Sequence, residues 1–263
     1  MIHPVFQENP IPRFTGQLEL TGPYLIATDF HAPLQSTLWC NRLITLRDMY
    51  NVRRVILGGD TFNFDAFSSW CDEEDLTWPE EMTWAADWLW TMYHAFDEIV
   101  WVRGNHCQRL TRATNGKLRA SDLIDSILCN HARYIGQEFL FNPKRLRFTD
   151  YPYLYLDDDW MVIHPSNHSV YTVAVANELA VKHQRHIIAS HSHRAGTGWS
   201  KCGRYVLIDS GGMGDWMKIR HMAFDAGKAP RWANGCVVYT GGYAQLFSDE
   251  PYTCWKAIEH EAA

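Results

Sequence analysis

The chain has no run of about 18 apolar residues, so it has no candidate transmembrane helix. Its start, Met1-Ile2-His3-Pro4, lacks the basic opening and apolar stretch of a secretion signal. No C-x-x-C pair occurs, and seven scattered cysteines, an odd number, do not suggest a disulfide framework. That usage fits a reducing compartment, and a cytoplasmic location is expected. A basic excess is also missing: Lys and Arg total 24 against 30 acids, a net charge of −6. This disfavours a protein that grips long nucleic acid through a basic surface, and leaves nucleic acid the less favoured partner beside a small phosphate ester. Without an internal repeat, low-complexity tract or convincing linker, one domain over residues 1–263 is expected, with its motifs between about 20 and 215.

Side chains able to hold metal are gathered in five short stretches: Asp29-Phe30-His31, Gly59-Asp60, Gly104-Asn105-His106, His164 and His191-Ser192-His193. Most of them close an apolar run that reads as a strand. Tyr24 to Thr28 runs into Asp29, Arg54 to Leu57 into Gly59-Asp60, and Ile99 to Val102 into Asn105-His106. Trp160 to Ile163 precedes His164, and His186 to Ala189 precedes His191. Ligands of sheet-based α/β proteins gather beyond the carboxyl ends of strands, so these ends suggest one shared polar site. Residues i and i+2 of a strand face the same way, which lets Asp29 with His31, and His191 with His193, each present a paired grip. Imidazole mixed with carboxylate or amide oxygen, and no cysteine pair, suits Mn, Fe, Zn or a similar divalent ion. Seven candidate ligands exceed the need of one tetrahedral ion but suit two ions sharing a carboxylate.

These residues, in this order over about 165 positions, resemble the calcineurin-like metallophosphoesterases: D-x-H, G-D, G-N-H, a lone His, then H-x-H. The resemblance implies two facing mixed β-sheets flanked by helices, an α/β fold. It implies two divalent ions, with Mn²⁺ favoured over Fe, Zn, Ni or Mg, and a hydroxide between them as nucleophile. Asp29, His31 and His193 would hold the first ion, Asp60 would bridge, and Asn105, His164 and His191 would hold the second. His106 has the family position that protonates or stabilises the leaving oxygen. Asn63, three residues after the bridging Asp, is placed to hold the His106 imidazole in one orientation. Arg103 and Arg109 are candidate phosphate contacts, since a guanidinium matches paired phosphate oxygens.

Cys107 stands where the family usually has an acid, Pro165 follows the lone His in place of Gly, and Ser190 replaces the Gly before H-x-H. The phosphoprotein-phosphatase signature after G-D is absent, as the chain reads Asp60-Thr61-Phe62-Asn63-Phe64. Hydrolysis of a phosphate ester is expected, with a nucleotide or nucleic-acid phosphodiesterase first and a small-molecule monoesterase second. A non-catalytic metal-binding scaffold is the alternative from another class. The basic stretch Arg109, Arg112, Lys117 and Arg119 is either a phosphate-attracting rim or a solvated loop. Structural roles are expected for His3, His94, His131, His183, His186, His221 and His260, while His168 is placed to border the pocket. Cys107 beside His106 also fits a thiol nucleophile, a reading weighed below that of a family variation.

Residues 1 to 20 read as an extended lead-in. Pro33 is expected to open a helix with Trp39, Leu43, Leu46 and Tyr50 on one face. A second helix is expected over about 80–97, with Ala85, Leu89, Met92 and Phe96 inside. Residues 110–135 read as a loop and then a helix capped by Ser121. Strands are expected at 145–149, 153–156, 160–164, 186–190, 204–209 and 235–240, interrupted by a helix over about 170–184. Trp70, Trp78, Trp84, Trp88 and Trp90 are read mainly as core, with Trp70 and Trp78 as candidate base-stacking groups in loop sequence.

Overall fold

A computed structural model describes residues 17–68, 76–219, 232–249 and 253–261. In chain order it runs β1 (Glu19–Leu20), β2 (Tyr24–Ala27), α1 (Thr37–Met49), β3 (Arg54–Leu57), α2 (Trp78–Ala95), β4 (Glu98–Val102), α3 (Cys107–Ala113) and α4 (Ile124–Tyr134). β5 (Leu146–Thr149), β6 (Tyr153–Leu156), β7 (Trp160–Ile163), α5 (Ala174–His183) and β8 (His186–Ala189) follow. β9 (Ala195–Trp199), β10 (Val206–Ser210), β11 (Gly235–Thr240), β12 (Tyr243–Ser248) and α6 (Trp255–Glu261) complete it.

The strands form two mixed six-stranded sheets, ordered β12-β11-β2-β3-β4-β5 and β1-β6-β7-β8-β10-β9. β2 to β5 are mutually parallel, as are β7, β8 and β10. The central strands are almost wholly apolar because both of their faces are covered. Tyr24, Ile26, Ile56, Val100 and Val102 of one sheet pack between the sheets against Leu154, Leu156, Val162, Ile188 and Ile208 of the other. The outer face of the first sheet is covered by α1, α2, α4 and α6 through Trp39, Leu43, Leu89, Leu128 and Trp255. α5 covers the second sheet through Ala176 and Ala180. Burying each such Leu or Ile contributes roughly 1.5–3 kcal/mol.

Several expected boundaries move. Pro33 does not open α1: the helix begins at Thr37, with the Ser36 hydroxyl accepting from the Trp39 amide at 3.4 Å. Trp39, Leu43 and Leu46 form the buried stripe as expected. α2 starts at Trp78, where Glu80 accepts from the Thr77 amide at 3.0 Å, so Trp78 belongs to a helix and not to a loop. A helix, α3, begins at Cys107, ahead of the loop expected there. Ser121 does not cap α4; it lies inside a short 3-10 turn, Ala120–Asp122, and α4 starts at Ile124. β1, within the expected lead-in, and β9, β12 and α6 stand where no strand or helix is expected. Trp88 packs on Phe30 and Phe62, and Trp78 stacks on Phe64, so both serve the core. Trp70, His3, His221 and the first sixteen residues lie outside the described residues.

Candidate metal centre

The carboxyl ends of β2, β3, β4, β7 and β8 meet at one edge of the two sheets. The turn after β2 and the turn after β3 are laced by backbone hydrogen bonds. Asp29 N donates to the Gly59 carbonyl and His31 N to the Asp60 carbonyl, each at 3.0 Å. This packing is tight enough to require glycine at two places. A Cβ on Gly104 would sit 2.1 Å from Asp60 Oδ1, and one on Gly59 would sit 2.2 Å from His164 Nδ1. The Gly in G-D and the Gly in G-N-H are thus steric necessities of the site itself.

All seven candidate ligands converge there. Asp29, His31 and His193 bring ligand atoms within 4.8 Å of one another, as do Asp60, His164 and His191. A third group, His31, Asp60 and His106, overlaps both. His31 Nε2 lies 3.3 Å from His193 Nε2, and Asp29 Oδ1 lies 3.2 Å from the same nitrogen. Across the centre, His164 Nε2 is 2.8 Å from Asn105 Oδ1 and 3.3 Å from Asp60 Oδ2. Asp60 Oδ1 accepts from the His106 amide at 2.8 Å.

Five of these residues hold left-handed backbone: Asp29, His31, Asp60, His191 and His193 have φ of 52°, 49°, 44°, 71° and 51°. Such a conformation costs roughly 1–3 kcal/mol per non-glycine residue and persists where the surroundings fix it. It turns successive side chains out of the strand direction and into one point. Strain concentrated on the ligand positions marks a site in which geometry outranks local comfort.

Charge at the centre follows from burial and neighbours. Burial alone would raise Asp29, but the His193 imidazole 3.2 Å away holds it down to about 2. Burial also acts to raise Asp60, yet His106 and His164 outweigh it and keep Asp60 well below the usual carboxylate range. His31 is pushed well down by burial and by the neighbouring His106 and His193, so it is neutral. Burial, with His164 beside it, takes His191 down to about 4. His164 goes the other way: burial opposes its charge, but Asp60 lifts it to about 9.

The donor set fits divalent metal. Asp29 Oδ1 is buried with His193 Nε2 3.2 Å away, and that nitrogen in turn lies 3.3 Å from His31 Nε2, a set of donors turned on one point. The Ser190 hydroxyl donates to the Gly58 carbonyl at 2.8 Å and lies 2.9 Å from His164 Nδ1. It therefore accepts the Nδ1 proton and leaves Nε2 aimed at Asp60 and Asn105. Ser190, a departure from the family pattern, supports the ligand that precedes it in sequence. Cys107 is buried, and burial pushes its thiol up to about 12. A thiolate nucleophile is inconsistent with that environment.

His106, Asn63 and Arg109 form one hydrogen-bonded unit, with a wiring that differs from the expected one. The Asn63 backbone carbonyl, not its side chain, faces His106 Nδ1, at 2.8 Å. Its side-chain oxygen instead lies 3.1 Å from His31 Nδ1. Arg109 donates to the Asn63 carbonyl at 3.0 Å, to Asp65 at 2.7 Å and to His106 Nε2 at 2.9 Å. Arg103 lines a cleft of about 640 Å³ with Asn105, Gln108, His164, Pro165, Lys182 and His183. The His168 ring lies 6.0 Å from that of His191, at the border of the centre. Of the other histidines, His94 bonds the Trp90 carbonyl at 2.9 Å and His186 accepts from the Val206 amide at 2.8 Å. Trp216 was not singled out by sequence; its ring stacks on His193 at 5.1 Å.

The profile of the calcineurin-like phosphoesterase family matches residues 22–195. The chain belongs to that family. Among solved structures it is similar to a predicted phosphoesterase from Streptococcus pneumoniae TIGR4, at 12% identity over 87% of this chain and 98% of that one, TM-score 0.34. It is also similar to a single mutant of Vps29 from Entamoeba histolytica, at 11% identity over 86% and 98%, TM-score 0.39. A third is the Pseudomonas putida nuclease MPE, at 13% identity over 85% and 87%, TM-score 0.36. No curated protein sequence matches the chain. Among the described residues, no helix is long and apolar enough to cross a membrane.

Proposed function

We propose that the chain is a metal-dependent phosphoesterase with one divalent ion at Asp29, His31 and His193, another at Asn105, His164 and His191, and Asp60 between them. The observation that carries this reading is the overlap of three ligand clusters through Asp60 and His31. Bound divalent ions would supply Lewis acidity toward phosphoryl oxygens and lower the pKa of water at the site.

The chain's own residues orient and move protons. The Asn63 carbonyl can only accept, so His106 carries its proton on Nδ1 and turns Nε2 toward the centre, 3.8 Å from Asp60 Oδ2. Arg109 donates to Nε2 as the site stands, so a proton taken up at Nε2 displaces that contact and is then placed for transfer to a leaving oxygen, with the Asn63 carbonyl holding the ring still. Arg103, which lines the cleft, suits the non-bridging oxygens of a phosphate. The cleft running from Asn105 and His164 to Lys182 and His183 has room for a group on the far side of the phosphate. That favours a phosphodiester of nucleotide type as substrate over a small monoester. The acidic net charge of −6 fits a short or mononucleotide substrate better than long nucleic acid.

The test is hydrolysis of bis-p-nitrophenyl phosphate and p-nitrophenyl phosphate by metal-stripped protein, with and without Mn²⁺, beside Asp60→Ala. Mn²⁺-dependent turnover that prefers the diester and vanishes in the variant is expected. Preference for the monoester would replace the substrate class, and turnover independent of metal or of Asp60 would overturn the mechanism.

A further inference from the structure

Glu81 is 1% exposed, on the inward side of the first turns of α2. A carboxylate in that position is costly, and burial pushes it up to about 7. Among the described residues it reaches no partner of opposite charge by hydrogen bond. Its two oxygens instead accept from backbone amides of one short turn: Oε1 from Phe64 N, and Oε2 from Ala66 N at 3.5 Å. Phe64 is itself held in left-handed backbone, at φ 53°.

That turn carries Asn63 and Asp65, through which it reaches both imidazoles next to Asp60. Asp65 accepts from the Asn63 side-chain amide nitrogen and pairs with Arg109. With that nitrogen engaged, the Asn63 side chain presents its oxygen to His31 Nδ1. The Asn63 backbone carbonyl, in the peptide group whose N–H binds Glu81, faces His106 Nδ1. Both acceptors are oxygens without a proton, so both histidines are Nδ1–H tautomers with Nε2 aimed at the centre.

We propose that Glu81 is a positioning residue: it clamps the 63–66 turn and, through Asn63, fixes His31 and His106 in the Nδ1–H tautomer. A well-packed apolar residue would serve stability as well at this depth, so the carboxylate is retained for the two amides it orients. The catalytic consequence rests on the phosphoesterase reading; the tautomer claim does not.

The experiment uses metal-free full-length protein labelled with ¹⁵N in its histidines, as wild type, Glu81→Gln and Glu81→Asp. Gln keeps the shape but turns an N–H₂ toward one of the two amides, while Asp keeps the charge one methylene short. Long-range ¹H–¹⁵N imidazole spectra of wild type should assign Nδ1–H to His31 and His106. Glu81→Gln should show mixed tautomers at both, and Glu81→Asp a smaller departure. In the Mn²⁺-loaded enzyme, Glu81→Gln should lower kcat on the order of 10-fold with KM unchanged, and in titration should weaken the tighter Mn²⁺ phase, as loss of a group that orients a ligand does. Wild-type tautomers in Glu81→Gln, or in Glu81→Asp should the Gln variant not fold, would overturn the proposal. Altered tautomers in a protein whose wild type hydrolyses no phosphate ester would uphold the clamp and sink the enzymatic reading instead.

Discussion

The two halves of the centre come from different parts of the fold and differ in how they meet solvent. In the first, Asp29 and His31 leave one strand end, both 0% exposed, and His193 closes over them at 9% with Trp216 stacked on its ring. In the second, His164 is buried, but Asn105 and His191 are half-buried, and Asn105 and His164 open onto the 640 Å³ cleft. A closed set of two imidazoles and a carboxylate offers fixed, desolvated donors. An open set ending in a neutral amide offers weaker ones with room for a substrate oxygen. On the proposed reading, the first position would hold its ion and the second would exchange ligands. Both ligand groups contain strained residues, so the asymmetry lies in burial and donor type and not in backbone geometry.

The largest test of that division separates chemistry from metal holding. His106→Gln should lower kcat by roughly 10²–10⁴, the range for loss of a positioned acid, while metal analysis still finds wild-type content. Loss of metal together with turnover would place His106 among the ligands and blur the two halves. A pair of ligand variants sharpens the comparison next. His31→Ala should weaken binding of the tighter ion in a Mn²⁺ titration, whereas Asn105→Ala should leave the tight phase intact and weaken only the second. The reverse ranking would invert the assignment of closed and open positions.

Acidity provides a smaller and more specific effect. His164 sits at about 9 without metal, so it is protonated at pH 7 and must release that proton to ligate through Nε2. Affinity for the second ion should therefore fall as pH drops below about 9, by about tenfold per pH unit where one proton is displaced. Calorimetry at pH 7 in buffers of different ionisation enthalpy should report close to one proton released. His31 and His191, held low, should add none. Smallest of all, Ser190→Ala removes the acceptor for His164 Nδ1–H, leaving the Gly58 carbonyl at 3.3 Å as its remaining partner. A loss of a fewfold in affinity for the second ion is expected, with the first unchanged.

What was legible beforehand follows the same physics. Apolar runs ending in Asp, Asn or His announced the strands and their polar ends, since buried parallel strands leave little choice of residue. β9, Ala195–Trp199, carries two glycines in five residues and gives no strand signal. Ser121 resembled a cap, yet the chain enters α4 through a 3-10 turn whose carboxylate, Asp122, bonds back to the Arg119 amide at 2.9 Å. The family resemblance pointed to Asn63 but not to which of its oxygens meets which imidazole, because that depends on Asp65 engaging its side-chain amide nitrogen and Arg109 its backbone carbonyl. Glu81 and Trp216 left no trace: a Glu in the first turn of a helix ordinarily signals only its N-terminus, and a Trp after Gly212 and Gly214 reads as loop. Contacts made across long stretches of chain are what a one-dimensional pattern does not carry.

The most direct test of the central claim is the electron paramagnetic resonance spectrum of metal-stripped protein given two equivalents of Mn²⁺. Two ions clamped by Asp60 at roughly 3.5–4 Å should give a spin-coupled multiline spectrum, which collapses to isolated six-line Mn²⁺ in Asp60→Ala. An isolated six-line spectrum from the wild type at full loading, or saturation at a single ion per chain, would contradict the shared-carboxylate centre.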